Sequence, residues 1–86
     1  MKRKLTFLAD PGHGWLSVSR KDLKTLGIQN VISNCSFQRG QRVYLEEDRD
    51  AVLFLDAAKK NGWDLQIKES SSNKKSWVRY QDRYKV

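Results

Sequence analysis

The residues best suited to chemistry lie in a short loop, from Asp10 to Trp15, between two predicted strands. Gly12 and Gly14 would let backbone amides approach a ligand, and His13 is the one side chain that titrates near neutral pH without perturbation. Asp10 would orient the imidazole, as a general base requires. The same loop also fits an ordinary turn, because proline fixes φ and glycine accepts a positive φ. Two interpretations therefore stand, a ligand-binding loop and a turn with a surface histidine and a core tryptophan.

Catalysis through His13 would need a nucleophile or a metal ion beside it. Ser17, Ser19 and Cys35 are available, but none of them lies in a recognised nucleophile motif. Cys35 and His13 together also fall short of the four ligands of a structural zinc site. The sequence therefore predicts no catalytic residue, no metal and no cofactor. A small hydrolase or nuclease built on His13 is kept as a third alternative.

A run of acidic residues, Glu46, Glu47 and Asp48, precedes a predicted helix. Carboxylates near a helix N-terminus interact favourably with the helix dipole, and this is sufficient to explain them. Alternatively, they form an acidic patch that mimics a polyanion and binds a host protein.

Basic residues concentrate at both ends of the chain, and in the C-terminal segment they are interleaved with aromatic residues. If that segment is extended, its odd-numbered residues from Trp77 to Arg83 share one face. Such a face suits nucleic acid, since guanidinium groups bind phosphate in a bidentate manner and each stacked base contributes about 1–3 kcal/mol. The alternative is a solubilising tail whose aromatic residues cover the core. The predicted phosphate-binding residues are Lys2, Arg3, Lys4, Lys74, Lys75, Trp77, Arg79, Tyr80, Arg83 and Tyr84.

Composition limits the class of protein. The chain has 86 residues, with 17 Lys and Arg against 10 acidic residues and a formal net charge of +7. This length predicts a single domain over residues 1–86, with enough apolar side chains to fold without a disulfide or a metal. A lone cysteine cannot pair within the chain, so we expect a reducing, cytoplasmic setting. The apolar run at residues 5–9 is too short for export or for a membrane span, and no membrane partner is predicted.

Hydrophobic spacing and turn residues predict the order of the elements in the first half of the chain. Alternating apolar residues predict strands at 5–9 and 15–18, and Ser19 caps a short helix that ends at Gly27. Two β-rich runs, residues 31–37 and 42–45, then flank a hairpin turn.

The second half contains one clear helix and a less regular C-terminal part. The helix begins among the acidic residues and ends at Gly62, and a fifth strand follows at 63–67. Residues 69–76 are predicted to be a polar loop, and residues 77–86 a basic, aromatic strand or tail. This order predicts an α+β fold, a single-domain two-layer sandwich. It would have a mainly antiparallel sheet of four to six strands with two helices on one face.

Two segments, residues 8–16 and 43–48, resemble a known group of proteins. They read Leu-Ala-Asp-Pro-Gly-His-Gly-Trp-Leu and Val-Tyr-Leu-Glu-Glu-Asp, and the second is followed by Asp50-Ala51 and Phe54-Leu55. The chain is similar, over most of its length, to small proteins encoded by phages, prophages and plasmids. That group has no established activity, so the resemblance implies a genomic setting and transfers no catalytic residue. Arg49 stands where the group often has a cysteine, which argues against a thiol function there.

Taken together, these features favour a non-enzymatic accessory protein of a mobile element. We expect it to bind an anionic partner, either nucleic acid or a nucleotide, through its two basic ends, and by analogy to counter host defence. The alternative is an inhibitor that docks on a host protein through an exposed sheet edge or the acidic patch. The oligomeric state and the identity of the ligand stay open at this point.

Overall fold

The computed structural model describes residues 2–73 and 76–86. Within them the chain forms six strands, two α-helices and one short 3₁₀ helix. Their bounds are β1 Lys2–Ala9, β2 Gly14–Ser19, α1 Arg20–Thr25, β3 Phe37–Arg39, β4 Arg42–Glu46, α2 Asp50–Lys60, β5 Asp64–Ser71, the 3₁₀ helix Trp77–Tyr80, and β6 Asp82–Arg83. No helix in the described ranges is both long enough and apolar enough to cross a membrane.

All six strands join one mixed sheet in the order β5-β1-β2-β4-β3-β6. Only the pairing of β1 with β5 is parallel; β1 with β2, β2 with β4, β4 with β3 and β3 with β6 are antiparallel. The prediction of an α+β fold with a mainly antiparallel sheet is therefore confirmed. The parallel pair arises because β5 returns to the outer side of β1 after α2, which leaves β5 as one edge of the sheet.

The main core lies between the helices and one face of the sheet, called here the helix face. Alternation along the strands turns Leu16 and Val18 of β2 and Leu45 of β4 to this face, where they are almost fully buried. Leu23 of α1 and Phe54 of α2 pack against them from the helical layer. Burying a side chain of this size contributes roughly 1.5–3 kcal/mol, so this layer supplies most of the apolar stabilisation.

The opposite surface, called here the open face, is covered only in part. Trp15, Phe37 and Tyr44 project from β2, β3 and β4 to form a second cluster with Val78 of the 3₁₀ helix, which is fully buried. The C-terminal segment therefore folds back over this part of the open face and becomes part of the protein's interior.

Helix α1 begins as the sequence predicts. Ser19 has an extended backbone and its hydroxyl accepts a hydrogen bond from the Asp22 N–H, as an N-cap residue should. The Asp22 carboxylate does not return to the cap. It instead forms an ion pair with Arg3 of β1, at 2.9 Å from the guanidinium Nε, and so ties the start of the sheet to the helix.

The prediction of a strand over residues 31–37 is wrong, because only Phe37 of that run joins β3. The preceding residues form a loop around the buried Asp50 carboxylate at the start of α2. That carboxylate accepts hydrogen bonds from the Ser33 N–H and hydroxyl and from the Ser36 hydroxyl. The Ser33 N–H therefore bonds to a side chain and is not available to a strand ladder.

The C-terminal predictions also need correction. Strand β5 continues through Ser71, paired with β1 over its whole length, so it takes up part of the predicted loop at 69–76. Residues 77–80 form a 3₁₀ helix rather than an extended strand, and the alternation expected from Trp77 to Arg83 does not exist. The predicted phosphate ligands Lys74 and Lys75 lie outside the described residues.

Asp50→Ala should lower the free energy of unfolding by about 2–4 kcal/mol, since it leaves the donors of the 33–36 loop without their shared acceptor. Urea unfolding followed by far-UV circular dichroism measures this change. Asp56→Ala, on the exposed side of the same helix, is the matched control and should change stability by no more than about 0.5 kcal/mol. Equal effects of the two substitutions would contradict the role given to Asp50.

Candidate functional site

The predicted ligand-binding loop is organised by a buried ion pair between Asp10 and Arg79. The Asp10 side chain is fully buried and accepts hydrogen bonds from Arg79 Nε at 2.6 Å and from a terminal guanidinium nitrogen at 2.8 Å. It also accepts from the backbone N–H groups of Gly12, His13 and Ser76. Arg79 above all, and then these amides, hold the pKa of Asp10 far below its usual range. Asp10 thus contacts the backbone of His13 and fixes the turn and the C-terminal segment; no hydrogen bond joins it to the imidazole.

Position 14, the first residue of β2, is a glycine because the sheet packs tightly there. A Cβ atom at this position would lie 2.3 Å from the Phe7 ring, so no larger residue fits without displacing that side chain. The neighbouring Trp15 is 2% exposed, and its indole Nε1 has no hydrogen-bond partner among the described residues. Packing within the fold therefore accounts for Gly14 and for the burial of Trp15 without a ligand, as in the interpretation of this loop as an ordinary turn.

A cleft of about 440 Å³ opens beside this loop. Its walls include Trp15 and Phe37, whose rings meet edge to face with centroids 6.2 Å apart. Two guanidinium groups lie over these rings, that of Arg79 at 5.2 Å from the Trp15 centroid and that of Arg83 at 4.6 Å from the Phe37 centroid. Both distances are within the range of cation–π interactions. The cleft thus combines aromatic walls with a cationic rim.

Glu46 and His13 supply the other titratable groups of the cleft, with Cys35 also on its lining. The Glu46 side chain is 14% exposed, and its Oε2 accepts a hydrogen bond from the Asp48 N–H at 3.0 Å. Its Oε1 lies 3.9 Å from His13 Nδ1, which is too far for a hydrogen bond. Within the described ranges, no cluster of His, Cys, Asp and Glu side chains could hold a metal ion. Of the predicted acidic patch, Glu46 lines the cleft while Asp48 is exposed on the following turn.

The open face also carries a band of cations, called here the basic strip. Its members are Lys4, Lys68, Arg42, Arg39 and Arg83. Lys4 precedes Leu5, which is buried on the helix face, so the lysine points the other way. Lys68 of β5 is paired with Thr6, two residues along β1 from Lys4, and so belongs to the same face.

The arginines continue the basic strip across the other half of the sheet. Arg42 and Arg39 are directly opposite each other on β4 and β3, and Arg42 donates a hydrogen bond to the Ser17 hydroxyl on β2. Arg83 of β6 is paired with Phe37, which belongs to the open-face cluster. In the described part of the chain, no carboxylate lies within ion-pair distance of these three arginines or of the two lysines.

The two basic ends of the sequence do not meet directly. Lys2 and Lys4 are on β1 and Arg83 is on β6, with β2, β4 and β3 between them. Lys2 is opposite Asp64, and Arg3 is on the helix face, paired with Asp22 and stacked over Trp63. The strip instead includes Arg39, Arg42 and Lys68, which sequence reasoning missed, and β2 contributes no cation to it. For Arg42 and Lys68 the signal was a position next to an apolar residue of a strand, Val43 and Ile67. Arg39 carries no such signal, because its neighbours are Gln38 and Gly40.

The predicted aromatic residues of the C-terminus separate into two groups. Trp77 is 47% exposed and packs edge to face on Tyr44, with centroids 5.0 Å apart, and Tyr80 is 75% exposed. Tyr84 is instead buried in the helix-face core, where its hydroxyl donates to the Gln29 carbonyl. Burial raises the pKa of Tyr84. Trp77 and Tyr80 therefore remain available to a partner, whereas Tyr84 does not.

The fold and the site together define a small α+β two-layer domain, with a six-stranded mixed sheet and one partly uncovered, basic face. No family model matches the sequence, and comparisons with curated proteins and with solved structures found no match either. The resemblance to proteins of mobile elements therefore stays a prediction.

Arg79→Met should destabilise the protein at neutral pH, and the difference from the unsubstituted protein should shrink as the pH falls below about 4. The reason is that the pKa of Asp10 is lowered in the folded state, so its contribution is present above its unfolded pKa and is lost on acidification. Urea midpoints measured from pH 7 to pH 2 test this.

Arg83→Met is the matched control, since Arg83 has no carboxylate partner in the described residues. Its effect on the urea midpoint should not vary with pH. An Arg79→Met deficit that persists unchanged at low pH would contradict the ion-pair explanation.

Proposed function

We propose that this protein is a non-enzymatic binder of single-stranded nucleic acid, which lies across the basic strip. The observation that carries the proposal is the cross-strand pair of Arg39 and Arg42. Like charges directly opposite on neighbouring strands destabilise a sheet. Within the described residues no carboxylate compensates for them. Phosphate groups bound between the two guanidiniums would remove this repulsion.

The dimensions of the basic strip suit several consecutive phosphates. It crosses from β5 to β6, which is five interstrand steps, or about 24 Å at about 4.8 Å per step. The only acidic residues on this face are Glu46, in the cleft, and Asp64, at the far end of β5, among the residues that the strand register describes. The rest of this face is therefore electrostatically favourable to a polyanion.

Exposed aromatic rings favour a single strand over a duplex. Trp77 stands on Tyr44 in the middle of the open face, and Tyr80 follows it on the same 3₁₀ helix. Unpaired bases stack on such rings with about 1–3 kcal/mol each, whereas the bases of a duplex are already stacked on one another. Sheet faces with exposed aromatics are a common platform for unpaired bases.

The salt dependence of binding tests the proposal directly. A fluorescein-labelled dT12 oligonucleotide, titrated with protein in an anisotropy assay from 50 to 300 mM NaCl, should give a log–log slope of about −0.7 per phosphate contact. Three to five contacts would give a slope between about −2 and −3.5. An affinity that does not change over this range of salt would overturn the proposal.

A triple substitution distinguishes binding by the basic strip from an effect of the protein's total charge. Lys4→Gln, Lys68→Gln and Arg42→Gln together should reduce the slope by about 2 and weaken binding at 50 mM NaCl by at least about tenfold. The charge-matched control is Lys24→Gln, Lys59→Gln and Lys60→Gln, which changes exposed lysines of the two helices. Equal losses in the two triple variants would mean that binding reflects total charge and not this surface.

A further inference from the structure

We propose that the cleft beside the strip is a base-specific pocket for a guanine nucleotide. This inference deepens the proposed function and rests on it, since it assigns specificity to one end of the same nucleic-acid surface. The cleft and the strip share Arg83, which is on the cleft rim and on the outermost strand of the strip. A strand that crosses the sheet would therefore bring one nucleotide to the cleft.

Glu46 is the group that selects the base. Its carboxylate is mostly buried, yet Oε1 has no hydrogen-bond donor among the described residues, and Oε2 receives only the Asp48 N–H. A carboxylate accepts hydrogen bonds and donates none, and each oxygen has two lone pairs. Guanine is the one common base with two adjacent donors on the same edge, N1–H and the 2-amino group. It alone can donate to both oxygens of Glu46.

The rest of the cleft fits the other parts of a nucleotide. Trp15 and Phe37 are almost fully buried under the guanidiniums of Arg79 and Arg83, and a flat base can stack on guanidinium planes. The volume of about 440 Å³ is within the usual range of small-molecule sites. Arg83 donates one hydrogen bond, to the Asn34 carbonyl, and its remaining N–H groups have no partner in the described residues. They are available to the phosphate, whereas Arg79 is committed to Asp10.

Isothermal titration calorimetry with GMP, AMP, CMP and UMP in 50 mM NaCl tests the pocket with ligands of equal charge. GMP should bind at least about tenfold more tightly than the other three, because only guanine forms the paired contact. Four equal affinities, or a preference for another base, would overturn the inference. So would the absence of measurable GMP binding.

Glu46→Gln should remove the preference for guanine while nucleotide binding persists, an outcome that loss of structure cannot imitate. Glutamine keeps an acceptor for the Asp48 N–H, but its neighbouring donor and acceptor can form two hydrogen bonds with an edge of any of the four bases, so it no longer favours guanine. GMP affinity should fall by at least about tenfold, and the four nucleotides should then bind with affinities within about threefold of one another. Glu47→Gln changes the adjacent acid outside the cleft lining and should leave the order of affinities as in the unsubstituted protein. Equal effects of the two substitutions would contradict the assignment of Glu46.

The two proposals fail in different ways. The triple substitution of Lys4, Lys68 and Arg42 should abolish most dT12 binding and leave GMP binding within about twofold, because none of these residues lines the cleft. Selective GMP binding without salt-dependent dT12 binding would retain the pocket and reject the strip. Salt-dependent dT12 binding without a preference for GMP would do the reverse.

Discussion

Alternation of side chains along the strands is the constraint on which both proposed surfaces depend. In each of β1 and β4 one apolar residue of the helix-face core has a cation as its neighbour, Lys4 beside Leu5 and Arg42 beside Val43. A shift of register by one residue would bury these charges and expose the core. The hydrophobic effect that fixes the register therefore also fixes the basic strip on the opposite face.

Buried carboxylates organise the segments that lack regular structure. Asp10 binds its own turn and the C-terminal segment, Asp50 binds the loop before β3, and Asp22 binds the first strand. Each accepts several hydrogen bonds or a guanidinium, which offsets the cost of burying its charge. Three of the ten acidic residues in this cationic chain thus act within the fold.

The sequence predicts the α+β class, the cap at Ser19 and the helix before Gly62, because local periodicity and turn residues determine these elements. It does not predict that Asp10 pairs with Arg79, that Tyr84 is buried, or that β5 lies beside β1, because these are contacts between distant parts of the chain. For the same reason the sequence does not predict where the basic strip lies. Arg39 and Arg42 are in a segment whose net charge is slightly negative, and they join the strip only because they share one face of the sheet.

The contacts of Asp10 with the C-terminal segment, called here the Asp10 clamp, bear on the order in which the protein folds. Asp10 contacts Ser76 and Arg79, which are 66 and 69 residues away along the chain. Closing so large a loop is entropically unfavourable until neighbouring strands have already paired. We therefore expect the clamp and the cleft beside it to form after the rate-limiting step of folding. Substitutions there should accelerate unfolding and leave the refolding rate nearly unchanged.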